Sequence, residues 1–264
     1  MRKPLAMPVD VKLMNMTASV LFVGMAVALL ASVLWWGLRQ PVFAIRGISV
    51  LGDVTHNNVV TLNANVGAKL RGNFFTVDLM EVKSAFESVP WVRRAEVRRE
   101  FPNRLRVVLQ EHQAAAFWGP DGESKLLNNY GEIFEANVDE AGREDLPHLN
   151  GPIDEAGQVL GMYRTLVPLF EPLDATLEDL SLSNRGGWLA KTESGAEIEL
   201  GRGNADDVVR RLQRFLSTVT QVTSQYGRTL DAVERADLRY DEGYALRMNG
   251  VTTVTSPLPT PRKK

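Results

Sequence analysis

Polar and apolar positions along the chain change register several times, and each change marks an element. From Ala18 to Leu38 the apolar run is unbroken: ASVLFVGMAVALLASVLWWGL, 21 residues without a charge. A helix rises 1.5 Å per residue, so about 20 such residues cross a ~30 Å hydrocarbon layer with every backbone group bonded inside the segment. Trp35 and Trp36 stand at the distal end, where an interfacial aromatic belt is expected, and Arg39 and Pro41 stop the run. Ala26-Val27-Ala28 has the small-x-small form of a signal-peptide cleavage site. The apolar run nevertheless continues for ten residues past Ala28, so an uncleaved anchor is the expectation.

Residues 43–112 read as β-α-α-β-β. Phe43 to Val50 is an apolar-rich strand, with Gly47 at a bulge. Val59, Leu62, Val66 and Leu70 have helical spacing. Asp78 is placed to N-cap a second helix with the stripe Leu79, Val82, Phe86 and Val89, which Pro90 ends. A hairpin follows. Trp91, Ala95 and Val97 alternate with Arg94, Glu96 and Arg98. After the turn Phe101-Pro102-Asn103, Leu105, Val107 and Leu109 alternate with Arg104, Arg106 and Gln110. Period-two alternation predicts a sheet with one apolar face.

Residues 113–250 predict a second, β-rich unit with two helices. Short strands are expected over Ala115–Trp118 and within Leu126–Phe134, with turns at Gly119-Pro120-Asp121-Gly122 and Asn129-Tyr130-Gly131. Leu146–Pro152 reads as a rigid Pro/Gly loop. A helix with stripe Val159, Tyr163, Leu166 and Phe170 follows, its length limited by Pro168. Strands are expected over Leu177–Ser183, Gly187–Lys191 and Glu197–Leu200. Asn204 caps a long helix with Asp206 and Asp207 in its first turn and the stripe Val208, Leu212, Phe215, Val219, Val222 and Tyr226. Ala236 to Met248 is the last strand signal, and the Pro-rich, basic stretch 251–264 is expected to be disordered.

Composition narrows the chemistry. With no cysteine, disulfides, thiolate metal sites and Cys nucleophiles are excluded. Thirty Lys and Arg against 32 Asp and Glu leave no basic excess for bulk nucleic-acid binding. The three histidines, His56, His112 and His148, are scattered, and no HExxH, GxSxG or SxxK motif is present. Gly201-x-Gly203 lacks the third glycine and the βαβ context of a dinucleotide site, so it reads as a turn with a helix cap. No catalytic residue, metal ligand, cofactor or small-molecule substrate is expected. Around the span, Arg2, Lys3 and Lys12 precede it while Arg39 and Arg46 follow closely, a weak positive-inside bias that orients the N-terminus to the cytoplasm.

A short arm, one span, and then FAIRGISVLGD, VPWVRRAEVRREFPNRLRVVLQEHQAAAFW, LPHLNGP, ELGRGN and ADLRYDEGYALRM together resemble the FtsQ/DivIB family of bacterial cell division proteins. The order and spacing of these segments carry the resemblance, which covers roughly residues 18–250. It implies an α+β protein: a cytoplasmic arm (1–17), a single transmembrane helix (18–38), a POTRA domain (43–112), an FtsQ-type β domain (113–250) and a tail (251–264). It further implies a non-catalytic, single-pass scaffold of the inner membrane at the division septum. That scaffold holds the periplasmic segments of FtsB and FtsL and meets other divisome proteins, with the lipid bilayer contacted through residues 18–38. In that family a partner segment adds to the last strand. The matching stretch here is Asp237 to Tyr244, with Tyr240 on the partner-contacting tyrosine, Gly243 on the following glycine, and Arg185 on an arginine that pairs with an acidic partner residue. Glu242 departs from the small polar residue that relatives can carry there.

The residues themselves allow such a reading. Ala236, Leu238, Tyr240, Tyr244, Leu246 and Met248 share one parity, as in one long strand or two strands in register with a bend at Gly243. A terminal strand at a sheet edge has unpaired backbone groups that an extended peptide can bond. The competing reading is a central closing strand with both tyrosines in the core. The arginines of the hairpin, Arg94, Arg98, Arg104 and Arg106, read either as a solvated face with cross-strand ion pairs or as a docking face for another division protein or the membrane surface. A membrane-anchored POTRA component of a transport or secretion assembly is the alternative function, and a periplasmic cell-wall enzyme is a third.

Overall fold

The computed structural model describes residues 9–52, 54–57, 62, 66–67, 72–120, 125–137, 146–240 and 242–251. The chain divides into two compact units, Met1–Glu111 and His112–Lys264. The first opens with helix α1 (Val9–Leu38), 30 residues long and with no buried position. It begins nine residues before the apolar run, inside the stretch expected as an arm. The span itself is apolar on all sides, as a helix surrounded by lipid would be.

The rest of this unit is a three-stranded sheet in the order β1-β3-β2, covered by a helix. Strand β1 (Gly47–Gly52) lies parallel to β3 (Arg104–Glu111), which pairs antiparallel with β2 (Val92–Glu100). The first strand therefore starts later than Phe43. Pro41–Phe43 forms a 3-10 turn instead, because Pro41 fixes its own φ and Phe43 turns its ring to Phe75. Helix α2 (Leu79–Glu87) starts at Asp78, whose carboxylate accepts from the backbone N–H of Met80 and Glu81. It ends at Ser88, two residues short of Pro90. Val82 and Phe86 are buried from α2, together with Leu105, Val107 and Leu109 from β3. Of the earlier helical stripe, Leu62 and Val66 are buried, while Val59 and Leu70 lie outside the described residues.

Trp91 is not part of the strand alternation. It has φ 69°, is buried, and stacks on His56 with ring centroids 4.0 Å apart. A register shift between Val92 and Arg94 turns Val92 inward with Ala95.

The second unit is built on a nine-stranded sheet among the described residues, in the order β12-β11-β10-β9-β8-β7-β4-β5-β6. The strands are β4 (Ala114–Trp118), β5 (Lys125–Asn128), β6 (Ile133–Glu135), β7 (His148–Asn150), β8 (Leu177–Leu182), β9 (Gly187–Thr192), β10 (Glu197–Arg202), β11 (Val233–Asp237) and β12 (Ala245–Met248). Helices α3 (Ala156–Phe170) and α4 (Ala205–Gln225) pack their apolar stripes into one core with the inward side chains of the sheet.

Two expectations are corrected here, for the Leu146–Pro152 loop and for Tyr226. The Leu146–Pro152 loop contains β7, which lies parallel between β4 and β8 and buries Leu149. The helix limited by Pro168 does end soon after it: α3 stops at Phe170, whose ring is buried, and then tightens into a 3-10 turn over Glu171–Leu173. Tyr226 is exposed at the end of α4, and Thr223 takes the buried place in the stripe. Asn204 does cap α4, its side chain accepting from the backbone N–H of Asp207 at 2.9 Å. Asp121 and Gly122 of one expected turn, and residues 252–264 of the tail, lie outside the described residues.

Candidate partner interface

The Ala236–Met248 signal resolves into two strands. β11 runs parallel to β10, and β12 folds back antiparallel to β11 as the last strand of the sheet. Among the described residues, β12 has one strand neighbour, so one side of its backbone has no ladder partner. The stretch from Asp237 to Tyr244 is mostly the connection between the two strands. The N–H of Leu238 donates to the carbonyl of Glu199 at 2.9 Å and extends the parallel pairing one residue beyond β11.

The expected contact residues fall into distinct environments. Leu238 is buried in the core, so its side chain serves folding and has no surface to offer. Tyr240 is 58% exposed, and Glu242 is exposed beside it in the same connection. Gly243 and Leu246 are half-buried, Leu246 against the core. Tyr244 is half-buried, its ring edge-on to Phe215 at 5.1 Å and its hydroxyl 2.9 Å from the Thr218 hydroxyl. Parity thus holds in the two strands and fails in the connection between them, where Tyr240 and Glu242 are both exposed. Tyr240, which shares the parity of the core residues, lies in the connection where no ladder directs it inward.

Charged groups tether this connection. Arg239 makes a two-pronged contact with Asp237, Nε to Oδ1 at 2.8 Å and a terminal nitrogen to Oδ2 at 2.6 Å, and its Nε lies 2.9 Å from Glu199 Oε2. Arg235 also bonds Glu199. The Arg239 hydrogen bond holds the Asp237 carboxyl below its ordinary range against the opposing effect of burial. Asp237 in turn raises the Arg239 guanidinium, and Glu199 raises that of Arg235. Across the outer pair of strands, Arg247 meets Glu234 at 2.9 Å.

Next to the clasp lies a groove of about 640 Å³ lined by Arg202, Asp207, Arg210, Arg211, Arg214 and Arg239. Helical spacing from Asp207 to Arg214 puts four of these on one side of the first turns of α4. The guanidinium of Arg211 donates to the carbonyls of Asp207, at 3.1 Å, and of Arg202. Gly201 makes room for it: with φ 77°, a Cβ there would sit 2.4 Å from an Arg211 nitrogen. The glycines of the Gly201-x-Gly203 turn therefore shape a basic groove as well as a helix start. Arg185 is exposed in the tight turn between β8 and β9, two residues before Gly187, which pairs with Arg202. Arg185, the arginine groove and Tyr240 thus belong to one end of the sheet. The family resemblance pointed to Arg185 and Tyr240 but not to the groove. The signal available for it was Arg202 beside a glycine pair, followed by arginines spaced one helical turn apart.

On the hairpin of the first unit, Arg98 pairs with Glu96, and Arg106 pairs with Glu100 at 2.5 Å, while Arg94 and Arg104 are exposed. All three histidines meet aromatic rings: His56 stacks on Trp91, His112 stacks on Phe134 at 4.1 Å, and His148 lies tilted against Phe117 at 4.8 Å. Among the described residues, no group of three or more His, Asp or Glu is placed to hold a metal ion.

Two family models match this chain. An FtsQ-type POTRA domain matches residues 43–112, and the C-terminal part of the cell division protein FtsQ/DivIB matches residues 116–239. Curated relatives named cell division protein FtsQ align over most of their length and of this chain. One from Burkholderia pseudomallei is 40% identical over 247 residues, 93% of this chain and 96% of its own. One from Thiomonas arsenitoxydans is 35% identical over 269 residues, 98% of each. One from Bordetella pertussis is 35% identical over 257 residues, 90% of this chain and 92% of its own.

Proposed function

The chain belongs to the FtsQ/DivIB family of cell division proteins and is a single-pass membrane protein, and on that premise we propose that it is a non-catalytic scaffold that captures a partner strand on β12. The N-terminus is cytoplasmic, and the part of the first unit that follows α1 lies in the periplasm with the second unit, at the division septum. The partner is the periplasmic segment of FtsB, together with FtsL.

The open side of β12 next to the exposed ring of Tyr240 carries this reading. An added strand gains main-chain hydrogen bonds along the edge, and exposed aromatic and arginine side chains beside it provide anchors. Arg185 and the arginine groove favour an acidic flank on the partner. Micromolar affinity corresponds to about −8 kcal/mol, within reach of one strand and two or three anchors. Glu242, at the same connection, sets a preference against acidic residues directly opposite it. Arg94, Arg98, Arg104 and Arg106 form a second docking face, on the hairpin, for another division protein or the membrane surface. A cell division family supports this role over transport or secretion.

The test is calorimetry on the full chain in nanodiscs against the C-terminal periplasmic segment of FtsB from the same organism, with and without FtsL. Tyr240→Ala and Arg185→Ala are expected to weaken binding at least tenfold while leaving the fold intact, a loss of about 1.4 kcal/mol or more. Unchanged affinity in both variants would place the site elsewhere. No binding by the wild type even with FtsL present would overturn the proposed partner.

A further inference from the structure

The segment joining α1 to the first sheet is bound to two distant loops. The Asn73 side chain donates to the carbonyl of Leu38, the last residue of α1, at 2.5 Å. The N–H of Phe74 donates to the carbonyl of Phe43 at 2.8 Å, and the N–H of Arg46 donates to the carbonyl of Asn103 at 2.9 Å. Arg99 then clasps the 73–77 loop, Nε to the Phe74 carbonyl at 2.7 Å and a terminal nitrogen to the Val77 carbonyl at 2.8 Å. The end of α1, the linker, this loop and the tip of the β2–β3 hairpin are therefore stitched into one piece.

That piece carries a string of aromatic rings. Phe43 meets Phe75 at 4.9 Å, Phe75 meets Phe74 at 5.2 Å, and Phe74 meets Phe101 at 6.1 Å. Phe74 is buried, but Phe101 is 76% exposed, Val42 59% and Phe75 43%. Phe101 is a large apolar side chain at the tip of a hairpin where a turn would ordinarily be polar. Arg39 and Arg46 of the linker and Arg104 at the hairpin tip, the segments that carry these rings, are exposed, and Arg39 lies over the face of Trp35 at 3.7 Å. The one carboxylate adjoining Phe101 in sequence, Glu100, is neutralised by Arg106.

We propose that this aromatic, arginine-rimmed surface sits in the headgroup region of the bilayer that α1 spans, so that the first unit lies on the membrane by its hairpin tip. The proposal rests on the reading of α1 as a membrane anchor. The bond from Asn73 to Leu38 is what selects lipid as the occupant. It holds the patch at the depth where the apolar span ends and Trp35 and Trp36 mark the interface. Aromatic rings and arginines with apolar stems favour that layer, the rings toward the acyl boundary and the guanidiniums toward the phosphates. The surface thus continues the lipid contact begun by the helix.

The absence of native cysteine makes a direct test available. The full chain carries a single environment-sensitive fluorophore at Phe101→Cys or, separately, at Val42→Cys, and is reconstituted into phosphatidylethanolamine–phosphatidylglycerol vesicles. Val108→Cys, an exposed position farther along β3, is the aqueous control, and Leu30→Cys within α1 is the lipid control. Probes at positions 101 and 42 are expected to be quenched by lipids bearing a quencher near the headgroup. They should also be severalfold less accessible to iodide than the probe at 108. If position 30 is quenched by lipid while 101 and 42 match 108 in iodide access, the proposal is overturned and the patch belongs to a protein partner. If 108 is as protected as 101, the surface has no special role and the proposal also fails. Loss of lipid quenching at position 30 would instead overturn the anchor reading itself.

Discussion

The hydroxyls of Tyr244 and Thr218 lie 2.9 Å apart, and this contact joins the entrance of the edge strand β12 to the middle of helix α4. Tyr244 also packs edge-on against Phe215. The ring holds the strand by packing and the hydroxyl fixes its position. Tyr244→Phe keeps the first and removes the second, so global stability should fall by only about 1 kcal/mol. The larger effect should be local. Hydrogen exchange at Ala245 to Met248 is expected to quicken more than exchange in β10, because among the described residues β12 has a ladder partner on one side only. Equal acceleration in both strands would mean that Tyr244 supports the core as a whole.

Leu238 and Tyr240 are two residues apart and should respond oppositely. Leu238 is 2% exposed and Tyr240 58% exposed. Leu238→Ala opens a cavity in the core and is expected to cost about 2–5 kcal/mol. Tyr240→Ala should change stability by no more than about 0.5 kcal/mol. Thermal unfolding of the two variants side by side checks this, and a large loss for Tyr240→Ala would show that its ring supports the fold.

How much of this was legible in the sequence depends on how far apart the meeting residues are. The β2–β3 hairpin and α4 repeat their periods many times, so the pattern alone places their core faces. β7 has three residues, too few to show a period, and only the parallel pairing of Leu149 between two strands reveals it. Tyr240 has the parity of a core residue but stands where the ladder has ended, and periodicity cannot report where a ladder ends. The arginine groove depends on Gly201 leaving space for a side chain ten residues later in the chain. The carboxylate of Glu111 is bonded by residues more than fifty positions earlier, a separation no local signal spans.

Glu111 gives a prediction with a sign. One carboxylate oxygen accepts from the backbone N–H of Thr55 and His56 and contacts the His56 ring. The other accepts from the backbone and side-chain N–H of Asn57. Burial pushes the carboxyl up, but these hydrogen bonds outweigh it and hold the group below its ordinary value of 4.5. A lowered carboxyl contributes stability that is complete above the unfolded value and is lost as pH falls through the folded one. Both oxygens are acceptors, so Glu111→Gln must aim an amide N–H at another donor. The variant should be about 2 kcal/mol less stable near neutral pH. That difference should narrow as pH drops below 4.5 and the wild-type carboxyl takes up its proton. Stability curves of both proteins across the acid range provide the check, and a constant difference would count against the carboxylate's role.

Gly131 and Gly157 touch each other, yet adding a methyl group should destabilise one and not the other. Gly131 closes the β5–β6 turn with φ 83°, and a Cβ built there would stand 2.6 Å from the Cα of Gly157, in the first turn of α3. The obstacle is backbone and cannot swing aside. Gly131→Ala therefore combines left-handed strain with overpacking, and about 2–4 kcal/mol of destabilisation is expected. At Gly157 the Cβ direction is open, with nothing within 4 Å, and the residue is helical. Gly157→Ala should be neutral or stabilising by up to about 1 kcal/mol, since alanine is the better helix former. Thermal unfolding of the two variants distinguishes a tight approach of turn to helix from a loose one. If Gly131→Ala is as stable as the wild type, the β5–β6 turn can lift away from α3 at little cost and the close approach plays no part in holding the second unit together.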